Sequence, residues 1–98
     1  MALKEISDAK MGRYLDTTGR ALAKVKVVAP PKSFMARIAE NFLDMAKRYH
    51  EDAVHNAAKQ DFVNAFAQVN YAHGWLDAGA RLGVFDVGED DQLFTLLD

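Results

Sequence analysis

The chain has no cysteine among its 98 residues. That excludes a disulfide framework and every metal site built on thiolates. Only two prolines occur, and they are adjacent, Pro30 and Pro31, so the rest of the chain is free to run in long helices. No stretch approaches the ~20 continuous apolar residues of a membrane span, and Met1–Lys10 lacks an apolar signal core. A soluble, cytoplasmic protein with no membrane association is expected. Positive charge is scarce at one end: residues 61–98 carry one Arg against seven acids. Residues 1–32 carry seven Lys or Arg against three acids, so a net charge of only −2 hides a polarised chain. Such asymmetry serves pairing within the fold or recognition of a charged partner.

What is present is hydrophobic residues, half of the total, which fits one domain over residues 1–98. A chain of this size buries about 60–70% of its unfolded surface without staples. The pattern predicts three helices, over about residues 3–28, 33–58 and 62–82, followed by a tail over 84–98. In the first, Met11, Tyr14, Leu15, Thr18, Leu22 and Val25 recur at steps of three and four. Ala29-Pro30-Pro31 ends it, because proline lacks an amide hydrogen and disfavours helix in the residue before it. In the second, Phe34, Met35, Ile38, Phe42, Met45, Ala46, Tyr49 and Ala53 form a wide apolar stripe, with Ser33 as its cap. Lys59-Gln60 makes a tight corner, Asp61 caps the third helix, and Gly83 stops it. Connections this short force antiparallel neighbours, giving an all-α, up-and-down three-helix bundle.

The third helix is apolar on two sides. Phe62, Phe66, Val69, Leu76 and Ala80 form one stripe; Tyr71, Trp75, Ala78 and Leu82 lie nearly opposite. Between them Ala65, Ala72 and Gly79 make a ridge small enough for another helix to approach. In the tail, Asp91 is placed to cap a last turn carrying Leu93, Phe94, Leu96 and Leu97. Those side chains need cover, and the Tyr71, Trp75, Leu82 side is the expected dock, in the same molecule or a second one. Tyr71, Trp75, Leu82, Phe85 and Phe94 are therefore the candidate interface.

Two polar rows are candidate sites. Asn70, His73, Asp77 and Arg81 share one edge of the third helix. An acid–base pair, a metal half-site or an anion grip would use such residues, and so would an ordinary hydrogen-bonded helix surface. Lys10, Arg13, Arg20 and Lys24 line one edge of the first helix beside Thr17, where they can hold phosphates or simply face water. No phosphate-cradling glycine loop, nucleophile elbow or zinc-protease motif is present, and no cofactor or metal is expected.

Tyr71–Phe85, YAHGWLDAGARLGVF, preceded by Tyr49, Asp52-Ala53 and Asp61-Phe62-Val63-Asn64-Ala65-Phe66, resembles the short archaeal domain-of-unknown-function family numbered three-five-seven. The likeness covers about residues 34–87, and its core, Tyr71-Ala72-His73-Gly74-x-Leu76-Asp77-Ala78-Gly79, is specific. It implies an up-and-down three-helix bundle, an archaeal and cytoplasmic origin, and an accessory role beside nucleotidyltransferase-like domains. It carries over no catalytic residues. Gln60 departs from the glycine expected at the corner, which puts the corner's geometry in question.

These readings favour a non-catalytic interaction module that self-associates or serves as an accessory subunit. The alternatives are a nucleic-acid or nucleotide-linked accessory protein using the basic edge of the first helix, and a small helical enzyme using His73 and Asp77 with Asp52 or Tyr49.

Overall fold

The computed structural model describes residues 3–96. Three helices, α1 (Asp8–Lys24), α2 (Phe34–Ala58) and α3 (Phe62–Leu82), are joined by one short antiparallel ribbon of β1 (Lys26–Val27) and β2 (Phe85–Asp86). The chain is an all-α three-helix bundle in which α2 and α3 form the largest contact and α1 packs across both. No helix among the described residues is long and apolar enough to cross a membrane.

The second and third helices run nearly as the pattern predicts. Ser33 caps α2, its hydroxyl accepting from the Ala36 amide at 3.1 Å. Asp61 caps α3, its carboxylate accepting from the Asn64 amide at 3.2 Å and the Asn64 side chain at 2.8 Å. These bonds to the ionised form hold the Asp61 pKa below its ordinary value. Gly83, at φ 87°, ends α3 in the left-handed conformation that glycine adopts without steric penalty. The corner between α2 and α3 puts Gln60 at φ 66°, the conformation for which glycine is preferred. The corner closes all the same, with the Asp61 amide donating to the Asn56 carbonyl at 2.9 Å.

The first helix is shorter than the expected 3–28. Ser7 caps its start by accepting from the Lys10 amide, and Val25 leaves it in an extended conformation. The valine-rich stretch Val25–Val28 then pairs with the chain after α3. Lys26 lies opposite Asp86, Val27 opposite Phe85, and the Val28 amide donates to the Val84 carbonyl at 3.0 Å. A partner 60 residues away in sequence has overridden the helical periodicity.

The core is built largely on alanine. Ala39, Ala46 and Ala53 on α2, and Ala65, Ala72 and Gly79 on α3, repeat every seven residues and are all buried. Because α2 and α3 are antiparallel, residue 39 comes level with 79, 46 with 72 and 53 with 65, as the Tyr49–Tyr71 and Phe42–Trp75 ring pairs confirm. Facing rows of small residues let the two backbones approach closely. The large residues of the α2 stripe flank this row. Met35, Ile38, Phe42, Met45 and Tyr49 are half-buried, and Phe34 is 67% exposed. At Gly79 the neighbour is the ring of Phe85, into which a Cβ would run directly.

Candidate functional site

The edge of α3 that carries His73, Asp77 and Arg81 is occupied by the chain's own C-terminal segment. His73 Nε2 lies 2.6 Å from the Leu93 carbonyl, which can only accept, so Nε2 carries a hydrogen. In the neutral ring Nδ1 then accepts from the Thr18 hydroxyl, 3.0 Å away on α1. Four residues on, Asp77 Oδ1 accepts from the Thr95 amide at 2.9 Å. A turn further, the Arg81 guanidinium approaches the Leu96 carbonyl at 3.4 Å. Three side chains at successive helical turns thus hold backbone groups of residues 93–96 in order, and the tail runs alongside α3 in the same direction. Asn70, the remaining member of the predicted row, bonds back to the Phe66 carbonyl of its own helix at 2.9 Å.

The tail does not lie on the Tyr71, Trp75, Leu82 side. Leu93 and Phe94 turn inward to join Ala21, Ala39, Leu76 and Phe85 in the core. Phe85 and Phe94 are 4% and 3% exposed, so neither is available as an interface to another molecule. The turn that aims them is capped by Asp90, not Asp91. Asp90 Oδ1 accepts from the Gln92 and Leu93 amides, each at 3.0 Å, and its Oδ2 accepts from Lys24 at 2.9 Å. The Lys24 ammonium, aided by the Leu93 amide, holds the Asp90 pKa below its ordinary value. Leu97, expected to take part in this packing, lies outside the described residues.

The basic edge of α1 is partly spent within the fold. Lys24 is paired with Asp90, and Lys10 sits 5.8 Å from the Tyr14 ring centroid and 5.7 Å from that of Phe66. Arg20 approaches Asp16 at 4.0 Å, with both side chains exposed. Arg13 alone of the four has no partner of these kinds among the described residues.

A cleft of about 280 Å³ opens between α1 and α3, lined by Tyr14, Thr17, Thr18, Asn70, His73, Gly74 and Asp77. Sequence reasoning found the α3 wall of this cleft but not the α1 wall. The available signal was Thr18: a hydroxyl on an apolar stripe is buried and needs a partner. Tyr49 and Asp52, considered as helpers of His73, do not line the cleft. The Tyr49 ring packs edge-on against Tyr71, 4.6 Å between centroids, on the other side of α3. No group of three or more His, Asp or Glu side chains among the described residues is placed to hold a metal.

That other side carries a continuous aromatic seam. Tyr49 meets Tyr71, Tyr71 meets Trp75 at 5.8 Å, and Trp75 meets Phe42 at 5.0 Å, all near edge-to-face. Tyr71 is 49% exposed, and Leu82, further along the same side of α3, is 51% exposed. The Trp75 indole N–H is buried without an acceptor among the described residues, so packing against the neighbouring rings and the core, not a hydrogen bond, holds this side chain in place.

No curated protein and no solved structure matches the chain significantly. The match that does exist is to a family, described as "Protein of unknown function (DUF357)", and it covers residues 13–85. It extends the likeness of residues 34–87 back through most of α1, so that both walls of the cleft and the whole aromatic seam fall inside it. Spanning most of the chain, this match shows that the chain belongs to the DUF357 family.

Proposed function

We propose that the chain is a non-catalytic helical interaction module that pairs with a second copy of itself through the aromatic seam of α2 and α3. The observation that carries this reading is the exposure of that seam. Large apolar side chains at Tyr71 and Leu82 stand half in water beside three further rings, while α1 and the tail occupy the opposite edge of α3. Exposed aromatic clusters of this kind are anchors of protein interfaces. The row Tyr71, Trp75, Ala78 and Leu82 contains no charged residue. A charged partner finds nothing there to recognise, whereas an equally apolar copy matches it.

The state of His73 supports a non-catalytic role. Both ring nitrogens have partners, the Leu93 carbonyl and the Thr18 hydroxyl, leaving neither free to serve as a general base. Light scattering on the eluting protein at micromolar concentration tests the pairing. The native chain should run at twice the monomer mass and Leu82→Glu as a monomer. A native monomer, or an unchanged Leu82→Glu dimer, contradicts the assignment.

A further inference from the structure

The cleft between α1 and α3 has a chemical character that its role in holding the tail does not use up. Asp77 Oδ1 is taken by the Thr95 amide, but Oδ2 has no hydrogen-bond partner among the described residues. The Asn70 amide nitrogen donates to Phe66, which leaves its carbonyl oxygen as a vacant acceptor. The Tyr14 and Thr17 hydroxyls also line the cleft without protein partners among the described residues. Two oxygens, of Asp77 and Asn70, are thus unfilled acceptors, and the two hydroxyls can accept as well as donate.

Charge points the same way. The Asp77 side chain is 24% exposed, and among the described residues no Lys or Arg lies within ion-pair distance of it. The one basic side chain within that distance among the described residues is His73, whose Nε2 lies 3.8 Å from Oδ1, the oxygen already bonded to Thr95. A partly buried carboxylate without a fixed counter-charge favours a cation beside it. The Tyr14 ring, which also meets Phe66 at 4.7 Å and the Lys10 ammonium at 5.8 Å, adds an apolar wall that suits an organic cation over a bare ion. At about 280 Å³ the space lies just below the usual range for small-molecule sites, roughly 300–1,000 Å³, and accommodates a compact ligand.

The geometry points to a binding site for a small organic ammonium ion in the cleft. Its N–H groups are received by Asp77 Oδ2, the Asn70 carbonyl and the Thr17 hydroxyl, with its carbon chain against Tyr14. This site is independent of the aromatic seam on the far side of α3, so either can fail while the other stands.

Nuclear magnetic resonance titration with n-butylammonium tests it, with n-butanol as the uncharged control. Saturable shifts at Thr17, Asn70, Gly74 and Asp77 with the ammonium, and none with the alcohol, are expected. Asp77→Asn retains an oxygen to accept from Thr95 and removes the charge. It should weaken binding at least about tenfold, as loss of a charge-assisted hydrogen bond does. Should that variant fold poorly, Thr17→Val serves instead, since Thr17 bonds nothing in the tail. A comparison of spermidine with an N-acetyl-lysine amide separates a free amine from a lysine side chain as the source, and preference for either upholds the site. Equal binding of ammonium and alcohol, absence of saturable binding, or affinity unchanged in a folded variant would overturn it.

Discussion

His73 has its two ring nitrogens committed to opposite neighbours, one on α1 and one on the tail. That makes it a joint of three segments, and its removal should be felt in the tail first. Replacement by Ala strands the Thr18 hydroxyl and the Leu93 carbonyl, a loss of about 1–3 kcal/mol measurable by urea unfolding. Amide exchange at Thr95 should quicken at the same time, because the bond to Asp77 depends on the tail staying in place. At Gln60 the expectation has the other sign. A side chain at φ 66° is strained by about 1 kcal/mol, and Gln60→Gly should raise stability by roughly 0.5–1 kcal/mol in the same assay. The departure from glycine at this corner was visible in the sequence, and the left-handed backbone is its physical counterpart. The role of His73 was not visible. Its spacing to Asp77 identified an edge of the helix, but a pair at i,i+4 looks the same whether it faces a substrate, water or the chain's own backbone.

Among the elements, α2 and α3 were legible nearly to the residue, because their caps and corner residues agree with their apolar periodicity. The end of α1 was not legible. Val25–Val28 continues a helical stripe on paper, and only its pairing with Val84–Asp86 draws it into an extended ribbon. The small-residue contact was legible in part: the ridge of Ala65, Ala72 and Gly79 was read from its spacing, and Ala46 and Ala53 fell in the apolar stripe of α2, but Ala39 did not. Where two helices approach closely the small residues form the contact and the large ones stand at its margins. The tail is clasped to α1 by Lys24 and Asp90, which gives it a predictable response to acid. Folding holds the carboxyls of Asp90 and Asp61 below the ordinary value of 3.8. The stabilisation from both is therefore complete above that pH and declines as pH falls through the lowered values. Urea midpoints should drop on acidification below about pH 4, and the drop should be smaller in Asp90→Asn, whose clasp is already weakened at neutral pH.

At the scale of the whole molecule, the two sides of α3 have separate fates. The side toward α1 is closed by the tail and encloses the polar cleft. The side bearing Tyr71, Trp75 and Leu82 stays open, and that division is the basis for proposing self-pairing there. The charge asymmetry of the sequence is resolved within the fold at only one ion pair linking its basic and acidic thirds among the described residues, Lys24 with Asp90. The two halves of the chain are thus joined chiefly by apolar packing and by the ribbon of β1 and β2. Trp75 is the sole tryptophan, and it stands within the seam. Its indole N–H is already shielded within one copy, so sedimentation over a dilution series, from high micromolar to nanomolar protein, tests most directly whether a second copy covers that face. The native chain should pass from dimer to monomer on dilution, with Leu82→Glu a monomer at every concentration. A native chain that sediments as a monomer across the whole series would contradict self-pairing.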